Sequence, residues 1–236
     1  TLLTAVGHEL RTPLAVIKGY ASTLLQEDVA WSQLDQHQFL QTISSEADRL
    51  ALLVSNLLDL SRQEAGLLQL TLAPASIEDI IIETIETIEH INHTGNKITL
   101  HLPADLPLVN VDTVRIGVVL HNLLTNALAY GKNTIHICAE RRAETLVISV
   151  SDDGPGIAED ELPHVFERFY RARHGRQQRS GGTGLGLTIC KAFIEAHACH
   201  IWVERNLHGT TISFSLPLAP PPTDSVPDPT NGKDEI

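Results

Sequence analysis

The 236-residue chain contains no methionine, only three cysteines and few aromatics, which make up 4% of it: two Trp, three Tyr and five Phe. Each scarcity excludes something. Cys138, Cys190 and Cys199 form no paired framework, so a disulfide-stapled secreted domain is excluded and a reducing, cytoplasmic compartment is expected. With few rings available, the cores must be aliphatic, built from Leu, Ile and Val. No stretch approaches the roughly 20 apolar residues of a membrane span, and no signal-peptide pattern is present, so no membrane contact is expected of this stretch. Basic residues are also short: 17 Lys and Arg face 29 Asp and Glu, a formal net charge of -12, which argues against a nonspecific nucleic-acid binder. The absence of Met in a chain that opens on a helical pattern predicts an excised or processed piece.

What is present is strong patterning. Leu3, Val6, Leu10, Pro13, Ile17, Tyr20 and Leu24 alternate three and four apart, the seam of a helix packed in a bundle. Residues 1–26 read as that helix, with Pro13 a kink, and Gln26 to Gln36 as a polar turn. A second helix reaches Glu64 on Leu40, Ile43, Ala47, Leu50, Val54 and Leu57. A two-helix hairpin cannot bury its own seam; pairing two hairpins into a four-helix bundle can, so a homodimer is expected. His8 falls at an outward position of the first helix, with Glu9 beside it and Thr12 one turn on along the same face. An imidazole held on a rigid exposed rib next to a carboxylate is a displayed nucleophile.

After Ala65-Gly66 the pattern changes. Leu68 to Leu72 alternates like a strand, and Ser76-Ile-Glu-Asp79 is a capping box for a helix to His90. Lys97 to Leu102 reads as a strand, and Asp112 caps a helix ending near Tyr130-Gly131. Strands are expected at 134–140, 145–151, 200–205 and 210–216, with a helix at 184–197. The expected fold is therefore multidomain: an all-α hairpin over 1–66, an α+β two-layer sandwich over 67–218, and a disordered Pro- and Asp-rich tail over 219–236.

Four clusters in the second half carry chemistry. Asn122 and Asn126 share one helical face, and their carboxamide oxygens suit Mg²⁺. Ser151 to Ile157 places Asp152 at a strand end, where a buried carboxylate needs a donor such as an exocyclic amine, and Gly154 and Gly156 allow close approach of the backbone. Phe166 and Phe169 can anchor a helix face; the following Arg171, Arg173, Arg176 and Arg179 read as a lid able to meet phosphate. Gly181 to Leu187 is a glycine loop running into a helix, where bare N–H groups can cradle phosphate, but it is neither a Walker A loop nor a convincing Rossmann fingerprint.

With those residues in view, the chain resembles the catalytic core of a bacterial sensor histidine kinase over residues 1–217. His8 to Pro13 is similar to its H box and Asn122 to Ala127 to its N box. Asp152 to Gly156 and Gly182 to Leu187 match its two glycine boxes, and Phe166 to Phe169 its F box. The resemblance implies a dimerisation and phosphoacceptor hairpin followed by a Bergerat (GHKL) ATP-binding domain. It implies that His8 Nε2 attacks the γ-phosphate of ATP, that Glu9 orients and deprotonates the ring, and that Thr12 helps place a water for dephosphorylating the partner. It assigns Mg²⁺ to Asn126 with Asn122 beside it, and adenine to Asp152. The wider ATP site would take in Tyr130, Lys132, Gly154, Gly156, Ile157, Phe169, Arg171, Gly182, Thr183, Gly184, Leu185, Gly186 and Leu187. The phosphoryl group would pass to an aspartate on a response-regulator receiver domain. Departures are Gly7 for serine, Ala129 for the usual lysine, which Lys132 or a lid arginine could replace, and Ala198-Cys199 for two glycines. Ala129 leaves open a kinase-weak scaffold or phosphatase. The histidine-bearing hairpin argues against a chaperone- or topoisomerase-type ATPase, and the crowding of His197, Cys199 and His200 against a zinc site.

Overall fold

The structure, a computed structural model, describes residues 2–26, 28–91, 97–171, 184–206 and 209–220. Two long helices come first, α1 (Leu2–Leu24) and α2 (Gln33–Glu64), packed on each other as the expected hairpin. Along α1, Pro13 is buried and Thr12 exposed, so the three-four seam does face inward. The hairpin turn ends earlier than the polar run suggests. Ser32 caps α2: its hydroxyl accepts from the Asp35 N–H at 3.1 Å and donates to the Asp35 carboxylate at 2.6 Å. The turn is held by three of the scarce aromatics. Phe39 packs between Tyr20 (centroids 5.3 Å, tilted) and Trp31 (5.2 Å, edge to face), and Trp31 Nε1 donates to the Thr23 carbonyl.

The second half is a five-stranded sheet in the order β2-β4-β5-β7-β6, covered on one face by helices. Its elements are β1 (Ala73–Ala75), α3 (Ile77–Ile91), β2 (Lys97–His101), β3 (Val109–Val111), α4 (Thr113–Tyr130), β4 (Thr134–Arg142), β5 (Thr145–Asp152), a 3-10 turn (Leu162–His164), α5 (Gly186–Ala196), β6 (Ile201–Asn206) and β7 (Gly209–Pro217). The β2–β4 pairing is parallel and the other three are antiparallel. The expected strand at Leu68 to Leu72 is absent. Leu68 and Leu70 are half-buried, Leu68 against the core, which accounts for the alternation, and pairing starts only at Ala73 opposite Val111.

The core is aliphatic, as expected. One face of α4 (Ile116, Val119, Leu120, Leu123, Leu124, Ala127) meets the inward residues of the sheet (Ile135, Ile137, Leu146, Ile148, Val150, Phe214). Phe193 and Phe214 are the aromatic side chains among the largest fully buried ones. At about 1.5–3 kcal/mol for each large apolar side chain fully removed from water, this layer is the main source of stability for the second half.

Two buried polar contacts tie the elements together. His197, at the end of α5, accepts the Asp112 N–H on Nε2 at 3.0 Å and uses Nδ1 on the Phe193 carbonyl at 2.7 Å. It is therefore neutral with the proton on Nδ1, and both nitrogens are occupied. With both nitrogens engaged, the His197 ring has no lone pair left for a metal ion. On the other side, Asp59 of α2, buried to 3% exposure, pairs with Arg115 in the first turn of α4. The Arg115 guanidinium in turn lies 5.1 Å from the centre of the Phe193 ring.

Candidate active site

The alternation of β5 decides where its last carboxylate points. Leu146, Ile148 and Val150 are buried on the core side, and Asp152 is the next residue in that phase. It therefore reaches under the helix layer into a pocket of about 700 Å³, a volume suited to a nucleotide-sized ligand. Burial raises the Asp152 carboxyl above its ordinary 3.8; the N–H groups of Gly154 and Thr210 oppose that rise, and the charge of Asp153 adds to it. Gly154 donates to Asp152 Oδ1 at 2.8 Å. A Cβ on Gly154 would press on the Tyr130 carbonyl and stand 2.7 Å from Asp152 Oδ1, so no larger residue fits this turn.

Asp153 has the opposite task. Its carboxylate accepts from the N–H groups of Lys132 (2.7 Å), Asn133 (3.0 Å) and Thr134 (3.2 Å), fastening the link between α4 and β4. Those backbone donors, Asn133 first, hold its carboxyl below the ordinary value. Of two adjacent aspartates, one faces the pocket and the other builds its frame.

Facing Asp152 across the pocket, α4 presents Asn122, Asn126 and Tyr130, spaced four apart on one helical face. Asn122 Nδ2 donates to the Val118 carbonyl at 3.0 Å, which leaves Oδ1 turned toward Gly186, where an added Cβ would lie 3.0 Å away. Gly184, Leu185, Gly186 and Leu187, opening α5, close the same side. Gly184 has φ +68°, and a Cβ there would come within 2.8 Å of the Phe169 backbone, so this turn also requires glycine.

The expected ATP-site residues that line the pocket are Asn122, Asn126, Tyr130, Asp152, Gly156, Ile157, Arg171, Gly184, Leu185, Gly186 and Leu187. Three described ones do not. Lys132 is exposed outside the lining and contributes only its N–H, to Asp153. Phe169 packs against the core and supports the glycine turn by donating its N–H to the Gly184 carbonyl at 2.9 Å. Gly154 acts through Asp152. On α1, Thr12 is exposed, away from this pocket. The side chains of His8 and Glu9 lie outside the described residues, as do Gly182, Thr183, the expected lid arginines 173, 176 and 179, and the tail beyond 220. Pattern reading missed Thr210, whose N–H faces Asp152, and four residues of α2: Arg49, Leu52, Leu53 and Asn56.

Residues 1–66 match the His Kinase A (phospho-acceptor) domain, and residues 111–220 match the histidine kinase-, DNA gyrase B- and HSP90-like ATPase domain. The catalytic domain of the histidine kinase ThkA is 30% identical and superposes with a TM-score of 0.54, over 64% of this chain and 97% of that one. The chain belongs to the histidine kinase family. The sensor histidine kinase WalK of Bacillus subtilis strain 168 is 36% identical over 90% of this chain and 35% of its own length. The chain thus spans about a third of that relative. ThkA in complex with the response regulator TrrA matches at 25% identity and a TM-score of 0.64, over 92% of this chain and 61% of that one. The Acinetobacter baumannii histidine kinase AdeS, at 24% identity, shares the fold with a TM-score of 0.69 over 89% of this chain and 98% of that one. Among the described residues, no helix is long and apolar enough to cross a membrane.

Proposed function

We propose that this chain is the catalytic core of a two-component kinase that transfers the γ-phosphoryl group of ATP to His8. The observation that carries this reading is the pairing of Asp152, half-buried at the end of β5, with the Asn122–Asn126–Tyr130 face of α4 across a nucleotide-sized pocket. A half-buried carboxylate whose own backbone bonds do not exhaust its acceptors is suited to the exocyclic amine of adenine. The glycine turn at 184–186 opens α5 toward the pocket, and the N-terminal end of a helix favours anionic oxygens.

In the transfer, the Nε2 lone pair of His8 bonds to the γ-phosphorus as the bond to the β,γ-bridging oxygen breaks, and ADP leaves with that electron pair. Glu9 orients the ring and takes its proton. Asn126, with Asn122 beside it, fits a hard cation through carboxamide oxygens; Mg²⁺ held there supplies charge neutralisation on the phosphates. The remaining work is positioning, with Arg171 and the loop N–H groups meeting developing charge. The phosphoryl group then passes to an aspartate of a response-regulator receiver domain, and Thr12, exposed on α1, helps place the water that hydrolyses the regulator's phosphoaspartate to carboxylate and inorganic phosphate.

The hairpin supports a homodimer: Leu14, Leu40, Val54 and Leu58 are exposed apolar residues on α1 and α2, and a second hairpin would cover them in a four-helix bundle. We divide the chain at 1–66 and 67–218 accordingly and assign this fragment to the cytoplasmic side. Incubation with Mg·ATP labelled on the γ-phosphate tests the function. Acid-labile label on the wild-type chain, lost in His8→Gln, supports it. Nucleotide binding with no label in the wild type would instead favour the scaffold or phosphatase reading that Ala129 leaves open.

A further inference from the structure

The pocket has a wall that the ATP-binding half does not supply. Arg49, Leu52, Leu53 and Asn56 of α2 line it, and their spacing of three, four and seven puts them on one helical face. That face runs on to Asp59 and Leu60. Leu53 and Leu60 are buried in the core cluster, and Asp59 is paired with Arg115 of α4. The register of α2 against the pocket is therefore set by buried apolar and ionic contacts below it, and Arg49 stands at the upper end of the stripe.

The charge inside the pocket gives that position meaning. Among the described residues lining it, the cationic side chains are Arg49 and Arg171. Lys132 lies outside the lining, and Ala129 brings no charge. Arg49 is 42% exposed and sits 3.7 Å from Glu46 one turn earlier, whose facing Oε2 is buried.

We propose that Arg49 is a nucleotide-contacting residue, its guanidinium donating to polyphosphate oxygens of a nucleotide whose base sits on Asp152. The inference rests on the nucleotide reading of the pocket. A nucleotide held this way bridges the two halves of the chain, so binding and the packing of α2 favour each other. Planar, forked donors suit phosphate better than a lysine point charge, so the effect depends on the guanidinium as well as on the charge.

Titration calorimetry of the full chain with Mg·ATP and with adenosine tests this. Arg49→Ala is expected to weaken ATP about tenfold, as loss of one partly exposed charge-assisted contact does, and to change adenosine less than about twofold. Arg49→Lys recovers part of the loss. Arg141→Ala removes the same charge from an exposed position of β4 outside the pocket and leaves both affinities unchanged. Asp152→Asn weakens ATP and adenosine together. An unchanged ATP-to-adenosine ratio in Arg49→Ala, with Asp152→Asn still weakened, overturns the role of Arg49 alone. Indifference of binding to Asp152→Asn overturns the pocket reading and the Arg49 contact with it.

Discussion

Replacing Ala198 by glycine should stabilise the second half, and the reason lies in how α5 ends. His197 is the C-cap, and the two residues after it close a Schellman motif: Cys199 donates its N–H to the Ile194 carbonyl at 3.1 Å and Ala198 to Glu195 at 2.9 Å. That geometry requires the left-handed region at residue 198, and Ala198 sits there with φ 56°. For an L-residue with a Cβ this conformation costs about 1–2 kcal/mol. Glycine removes the cost but gives the unfolded chain more freedom, a penalty of about 0.4–1 kcal/mol. Ala198 is exposed, so losing its methyl forfeits little packing. The net gain is about 0.8 kcal/mol, and with a urea m-value near 2 kcal/mol/M the midpoint moves up by about 0.4 M.

The two tryptophans make the assay clean, because Trp31 reports on the hairpin turn and Trp202 sits on β6, just past the motif. In a Trp31→Phe background, urea unfolding followed by Trp202 emission reads the second half alone. Ala198→Gly should raise the midpoint with an unchanged slope. Ala196→Gly, two residues earlier and still inside α5, should cost about 1 kcal/mol and so lower the midpoint by about 0.5 M, since glycine there meets only the helix penalty. A midpoint in Ala198→Gly equal to or below that of the parent refutes the argument from backbone strain.

Asp152→Asn should weaken ATP binding yet stabilise the free protein at neutral pH. Because the folded carboxyl is raised above 3.8, the cost of burying its charge is absent below that value and grows as pH rises through the folded one; the stability gap between variant and wild type should therefore close in acid. ATP affinity of the wild type should fall with decreasing pH before an ordinary aspartate would titrate, a limb missing from the calorimetric profile of Asp152→Asn. Asn126→Ala should abolish the Mg²⁺ dependence of γ-label incorporation; a variant that keeps full Mg²⁺-dependent labelling removes Asn126 from the metal role. Arg115→Ala leaves Asp59 buried with only the exposed Arg62, 3.7 Å away, as a partner and should cost about 2–3 kcal/mol in urea unfolding, whereas Asp59→Leu combined with Arg115→Met should recover most of it. Equal midpoints for wild type and Arg115→Ala would show that the pair contributes nothing.

Features with a short period could be read from the residues alone. The phase of Leu146, Ile148 and Val150 already determines which way Asp152 points, and the spacing of Asn122, Asn126 and Tyr130 already shares a helical face. Asp112 and Gly131 mark the ends of α4 correctly because capping is a local hydrogen-bond requirement. Ser32 and Asp35 carried the same kind of signal, so the early start of α2 was legible and passed over. Asp153 was not: adjacent aspartates look alike, and only the approach of residues 132–134 from the neighbouring strand separates their roles. Leu68 to Leu72 misled for a related reason, since alternate burial against a core does not require a pairing partner. The α2 wall was the least accessible feature. Arg49 and Asn56 lie on a heptad-patterned helix whose repeat announces bundle packing, and nothing within that repeat records a second face. What creates the second face is the Asp59–Arg115 pair, 56 residues apart in the chain. A pocket floor written into one strand can therefore be deduced residue by residue, but a pocket wall lent by another domain depends on a long-range contact, and its loss should leave both local patterns intact while opening the site.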